Sequence, residues 1–287
     1  MTTILSSPTA TTTRLDGLWS RRRPAVMGIV NCTPDSFSDG GRFLDEADAI
    51  AEAERQLSDG ATIVDVGGES TRPGAAPVSA DDERRRVIPV LSELRRRHPE
   101  TVLSVDTTKV SVAAAALAVG VDVVNDVSAA AEPGMLELVA GSEAALILMH
   151  RRGTPETMQN DTRYDHVVAE VHGSLRDSAE RAAAAGIHRD RIWLDPGIGF
   201  GKDDAGNLAL MAALPDLATS GHPIVLGPSR KSFIGRLTGA GVDDRLPGTL
   251  ASLIPVIGLE RAVVRVHDPA AAIQFLEIAQ RLVGAAA

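Results

Sequence analysis

The chain has 287 residues, 44% of them hydrophobic and 23% charged, with a formal net charge of -9. That is the make-up of a folded globular protein with a sizeable core. The acidic balance excludes broad, non-specific nucleic-acid binding, which needs a basic face, although local Lys and Arg can still hold a small anion. The single cysteine, Cys32, rules out an intrachain disulfide framework and suits a reducing compartment. No apolar run reaches the length of a membrane span, so a cytoplasmic protein is expected, with neither nucleic acid nor membrane as partner.

Residues 1–23 are expected to form a flexible tail. Positions 1–13 are Thr/Ser-rich and lack the basic start and apolar stretch of a secretory signal, and Arg21, Arg22 and Arg23 read as a solvated edge. From residue 24 to 287 a single domain is expected. Short β-rich runs at 25–31, 62–67, 102–107, 121–127, 145–150, 191–196, 223–227 and 262–267 are mostly continuous in Val, Ile and Leu, the pattern of parallel strands covered on both faces. Helical patterns at 45–59, 80–97, 109–119, 133–140, 164–185, 207–218, 246–259 and 269–282 alternate with them. Ser79, with Asp82 three residues on, is a candidate cap for the second helix. Gly60, Gly120, Gly186 and Gly221 fall where helices should stop. Eight such units predict a single-domain (β/α)8 TIM barrel. The competing doubly wound sheet would carry G-x-G-x-x-G after its first strand, and none follows Asn31.

Barrel enzymes place chemistry at the C-terminal ends of their strands. Here those ends carry Asn31, Asp65 to Glu69, Asp106, Asn125 and Asp126, His150, Asp195, the run Ser229, Arg230 and Lys231, and finally Arg265, His267 and Asp268. Asp106, Asn125 and Asp195 offer acceptors and an amide donor, suited to a flat heterocycle bearing N–H groups. Lys231, Arg230, Arg265 and His267 suit an anion, most naturally phosphate. Asp65 and His150 are open between a structural and a site role. The stretches 31–41 (NCTPDSFSDGG) and 67–77 are long for βα connections and read as lids over the barrel mouth. Cys32, with no paired base in view, reads as a small filler rather than a nucleophile.

Taken together, NCTPDSFSDG at 31–40, DVGGESTRPG at 65–74, SVDT at 104–107, Asn125 with Asp126, LMHRRGTP at 148–155, DPGIGFGK at 195–202, SRKSFIG at 229–235 and RVHD at 265–268 resemble the signatures of dihydropteroate synthases, in order and across essentially all the chain beyond the tail. The resemblance implies condensation of 6-hydroxymethyl-7,8-dihydropterin pyrophosphate with p-aminobenzoate, releasing pyrophosphate, in an enzyme that is a sulfonamide target and a homodimer. It assigns the pterin ring to Asp106, Asn125, Asp195 and Lys231. Asn31 would ligate Mg2+, with the pyrophosphate held by Asn31, Arg72, Arg265 and His267. The p-aminobenzoate pocket would be shaped by Phe37, Thr71, Arg72, Pro73, Phe200 and Ser229. Asp106, Lys231, Arg265 and His267 would serve catalysis, with Asp35 as a stabiliser of positive charge or acceptor of the amine proton. The sequence departs from the family's usual pattern at Pro228, Arg151, Asp203 and Gly206, none an expected pterin or phosphate ligand. Two alternatives share the barrel: a pterin-binding methyltransferase module and a catalytically silent paralogue. The first has no need of the Ser-Thr-Arg-Pro loop, and the second would have lost site residues.

Overall fold

The computed structural model describes residues 10–20, 23–33, 46–72 and 74–286. Its strands are β1 (Ala25–Asn31), β2 (Ile63–Gly67), β3 (Val102–Asp106), β4 (Val123–Asp126), β5 (Ala145–Met149), β6 (Ile192–Asp195), β7 (Ile224–Leu226) and β8 (Ala262–Val266). Each pairs in parallel with the next, and β8 returns to β1, so the sheet is a closed barrel. The expected TIM barrel is therefore what forms, with every expected strand within two residues of its place.

Around it run α1 (Ala10–Leu18), α2 (Glu46–Ser58), α3 (Ala80–Arg97), α4 (Val110–Ala118), α5 (Met135–Ala140), α6 (Val167–Ala184), α7 (Asp204–Ala212), α8 (Leu214–Ala218), α9 (Ser232–Thr238), α10 (Leu246–Ala251) and α11 (Pro269–Ala286). Ser79 caps α3, its Oγ accepting from Asp82 N at 3.1 Å. The helix expected at 207–218 is two. Asp203 caps an earlier start by accepting from Gly206 N at 2.7 Å, and Pro215, which has no N–H to give, opens the second piece. The helix expected at 246–259 stops after Ala251 and resumes as a 3-10 turn, Ile254–Val256, because Pro255 cannot donate to the ladder. The short α9, directly after Lys231, carried too few residues for a periodic signal.

Strand alternation divides the core in two. One set of side chains, including Val64, Leu103, Leu146 and Val264, faces the helices. The other, Met27, Ile63, Val102, Val123, Ile147, Trp193, Val225 and Val263, fills the lower barrel interior. The tail expectation needs correcting for residues 10–18. Leu15 and Leu18 of α1 join this interior cluster, and Trp19 meets Trp193 edge-on with ring centroids 5.4 Å apart. Arg14 of α1 also bonds the buried Asp122 at 2.6 Å, beside Arg95 at 2.6 Å on the other carboxylate oxygen. The helix thus closes the N-terminal end of the barrel. Its sequence, ATTTRLDGL, is too short and polar to signal this.

Candidate active site

The strand positions immediately above that apolar floor are polar. Two residues beyond Ile63 comes Asp65; beyond Val102, Ser104 and then Asp106; beyond Val123, Asn125; beyond Trp193, Asp195; beyond Val263, Arg265 and then His267. The period of two that buries the first set aims the second into the same lumen.

Asp65 is the hub. It is fully buried and accepts from Ser104 Oγ at 2.6 Å, from Asn125 Nδ2 at 3.1 Å and from Arg265 Nε at 2.6 Å. Arg265 Nη2 also donates to Asp106 at 2.8 Å. The choice the sequence left open for Asp65 is settled as an organising role inside the site. Arg265 therefore lies among the acceptors rather than apart from them. Burial works against its charge, but Asp65 and Asp106 outweigh this and raise its pKa. Burial pushes the Asp106 carboxyl up, against the pull of Arg265.

The opposite wall carries Asp195, Lys231 and Phe200. Asp195 Oδ1 accepts from Gly197 N at 2.7 Å, and burial raises its pKa against the attraction of Lys231. Lys231 Nζ donates to Ile198 O and sits 4.5 Å from the centre of the Phe200 ring. Burial lowers the Lys231 ammonium to about 8, while Asp195 and Asp106 both act to keep it charged. The lysine thus lies within electrostatic range of both carboxylates, at the same end of the barrel. In so dry a pocket, hydrogen bonds to a polar ring are strong.

Between β7 and β8, Ser229 Oγ and His267 Nδ1 lie 2.9 Å apart, and His267 N donates to the same Oγ at 3.1 Å. The serine hydroxyl is then free to donate to Nδ1, which leaves Nε2 carrying the ring proton. Burial, then Arg265 and Arg230, lower His267 to about 4. His267, expected to face an anion, does so as a neutral ring near pH 7. Arg230 also departs from expectation. Its guanidinium bonds both oxygens of Asp268 at 2.8–3.1 Å, so its charge is matched there.

Of the second loop, Thr71 is partly buried and Arg72 exposed, and Arg72 is among the charges bearing on His267. Gly74 N donates to Pro155 O at 3.1 Å, docking this loop on the β5–α6 connection. Its base is tied by Glu69, which accepts from Val78 N at 2.9 Å and pairs with Lys109, itself shared with the buried Glu83 at 2.5 Å. Sequence reasoning missed this clamp, whose members are 14 to 40 positions apart and carry no spacing signal. The expected Asp35, Phe37 and Pro73 lie outside the described residues. Cys32 is buried, and burial pushes its thiol up to about 12, which suits a filler. His150 sits beside Tyr164, ring centroids 6.3 Å apart, at the foot of the β5–α6 connection. Asn31 ends β1 partly exposed. No group of three or more His, Cys, Asp or Glu among the described residues could cage a metal ion.

Comparison with known proteins agrees with this geometry. The family described as pterin binding enzyme matches residues 27–267. A dihydropteroate synthase from Escherichia coli (strain K12) is 42% identical over 262 residues, covering 91% of this chain and 93% of the relative. The chain belongs to the dihydropteroate synthase family. Among solved structures of that family, the Xanthomonas albilineans dihydropteroate synthase with 4-aminobenzoic acid superimposes with a TM-score of 0.84 at 44% identity, covering 91% of this chain and 93% of the other. The Yersinia pestis dihydropteroate synthase, in a sulfonamide drug complex, gives 0.86 at 37% identity, with 99% of both chains covered.

Proposed function

We infer that the protein is a dihydropteroate synthase, a transferase that joins 6-hydroxymethyl-7,8-dihydropterin pyrophosphate to p-aminobenzoate. The observation that carries this reading is the polar layer over the apolar barrel floor, in which the Asp65, Asn125, Arg265 and Asp106 network faces Asp195 and Lys231. Asp106, Asn125, Asp195 and Lys231 match the donors and acceptors of a pterin ring. Arg265 and the neutral Nε2–H of His267 are the groups that hold the leaving diphosphate, with Arg72 reaching in from the second loop. Thr71, Arg72, Phe200 and Ser229 form the p-aminobenzoate wall, where a sulfonamide would compete, and the family resemblance adds Phe37 and Pro73 to that role.

In the reaction the methylene–oxygen bond breaks, its electron pair leaving with pyrophosphate. The amine lone pair forms the new carbon–nitrogen bond, and the amine proton is lost. Asp106 and Asp195 favour the positive charge that develops on the pterin side, and Asp35 is the acceptor proposed for the proton. No protein nucleophile is required. Asn31 offers one hard amide oxygen, which fits a Mg2+ ion that takes few protein ligands and completes its shell with diphosphate and water. That ion supplies neutralisation of the leaving charge when bound.

The test is pyrophosphate release from the pterin pyrophosphate with Mg2+, with and without p-aminobenzoate, alongside detection of dihydropteroate by mass. Absence of the condensed product, or release indifferent to the amine, would refute the reading. We further propose a homodimer, supported by exposed Leu237 on α9, Ile254 beyond α10, and Ile278, Leu282 and Val283 on α11. The buried, unpaired Cys32 favours a reducing compartment such as the cytoplasm.

A further inference from the structure

Lys202 is 1% exposed, bonds only backbone carbonyls and none of the side-chain groups assigned to substrate above, and is among the largest fully buried side chains. Its ammonium donates to three backbone carbonyls: Gly197 O and Phe200 O at 2.9 Å and His150 O at 3.2 Å. In its charged form three donors thereby meet three acceptors, with burial lowering the ammonium to about 7 against the attraction of Asp195. The consecutive carbonyls of the turn after β6 are then all accounted for. Those of Gly197 and Phe200 point inward to Lys202. Ile198 O accepts from Lys231, Gly199 O from Gln159 Nε2 at 3.2 Å, and Gly201 O from Tyr164 Oη at 3.0 Å. On the other side of the turn, the buried Asn207 accepts from Gly199 N at 2.7 Å. The turn also presses on the end of β5: a Cβ at Gly197 would stand 1.9 Å from His150 O.

We propose that Lys202 is a positioning residue for the second-substrate wall. By gathering the carbonyls of β5's end and of the 197–200 turn, it fixes the one segment that presents Ile198 O to Lys231 and the Phe200 ring to the pocket. Gly197 O also accepts from Phe200 N at 3.1 Å, but three carbonyl dipoles aimed at one buried point repel unless a donor stands between them. A cation with three donors does what a neutral side chain of that size cannot. The proposal rests on the functional reading above, in that Phe200 borders the aminobenzoate and Lys231 the pterin.

The test uses the full chain with Lys202→Met, which keeps the stem and removes the charge and donors. Cooperative thermal unfolding checks the fold, and steady-state assays separate kcat from KM for each substrate. The expected result is a fall in kcat/KM for p-aminobenzoate of about tenfold to a hundredfold, as for a catalytic wall displaced by about 1 Å, with the larger part in KM. A folded Lys202→Met with wild-type kcat and KM, changed only in Tm, would make Lys202 a stability residue and overturn the proposal. If Lys202→Met does not fold, Lys202→Gln, which keeps two donors, should show a smaller loss of the same kind, and wild-type kinetics there would overturn it. In the unsubstituted protein, the Gly197, Gly199 and Phe200 amides should be protected from hydrogen exchange without substrate. Exchange as fast as in free peptide would refute a pre-set turn. Wild-type protein that makes no dihydropteroate would sink the functional reading, while the exchange result would still decide the architecture.

Discussion

The hub at Asp65 makes the sharpest quantitative prediction. Asp65→Asn keeps the shape but turns the ion pair with Arg265 at 2.6 Å into a bond from a cation to a neutral amide oxygen, and it sets an amide N–H₂ against the Ser104 hydroxyl. The amide nitrogen faces Ser104, which can rotate to accept, while the remaining oxygen stands where Asn125 Nδ2 and Arg265 Nε both donate and serves them without its charge. Weakening each bond to a formerly charged acceptor costs about 1 kcal/mol or less, so a loss of about 1–2 kcal/mol is expected. Arg265 keeps Asp106 at 2.8 Å, which holds the cost below the 3–5 kcal/mol or so of a fully orphaned buried charge. At about 2.1 cal/mol/K of unfolding entropy per residue, each kcal/mol moves the Tm of a 287-residue domain by roughly 1.7 °C. The Tm should therefore fall by about 2–3 °C in calorimetry. Because the bonds that orient Asn125 and Arg265 weaken together, kcat/KM for the pterin pyrophosphate should fall by about tenfold. A Tm within about 1 °C of wild type, together with unchanged kcat/KM, would show that the network is not what organises the site.

Lys231→Ala and Asp195→Ala should each abolish turnover with folding retained, read by activity beside circular dichroism. Near-normal rates would refute the pterin assignment. Arg72→Ala should raise KM for p-aminobenzoate more than it weakens pterin pyrophosphate binding, and equal losses by titration calorimetry would give the second loop another role. His267, lowered from 6.5 to about 4 in the fold, takes up its proton more readily when unfolded. Its contribution to stability is therefore fully present above about 6.5 and declines as pH falls from there toward 4. Its imidazole signals should not titrate between pH 5.5 and 7.5 by NMR, and a midpoint near 6.5 would contradict the neutral-donor role. Lys109→Met leaves the buried Glu83 without its cation and should cost about 3–5 kcal/mol, visible as a large drop in Tm.

The barrel was legible because its strands are apolar on both faces, so each stands out as a run whose end is marked by Asn31, Asp106, Asn125 or Asp195. The site was legible for the same reason: a carboxylate two positions above a buried Val or Ile can only point into the lumen. What stayed hidden were features fixed by tertiary contact. α1 has no apolar stripe and becomes a helix by packing Leu15 and Leu18 against the barrel. The acceptor and cation sets looked separate along the chain, yet Arg265 bonds Asp65 across 200 positions. Arg230 looked like a phosphate ligand because Asp268, its partner, is 38 residues away. The charge state of His267 depends on burial and on neighbouring arginines, neither of which a motif encodes.

The barrel resembles a cup whose base and brim are made by different hands. Leu15, Leu18 and Trp19 seal the base from outside the strand sequence, whereas Asp106, Asn125, Asp195, Lys231 and Arg265 stand at the brim. A shortened chain beginning at Ala25 would keep the whole binding constellation yet expose Trp193 and its neighbours to water from below. It should bind where the parent binds and yet survive heating less well. The first two dozen residues then matter for the vessel's endurance rather than for what it holds.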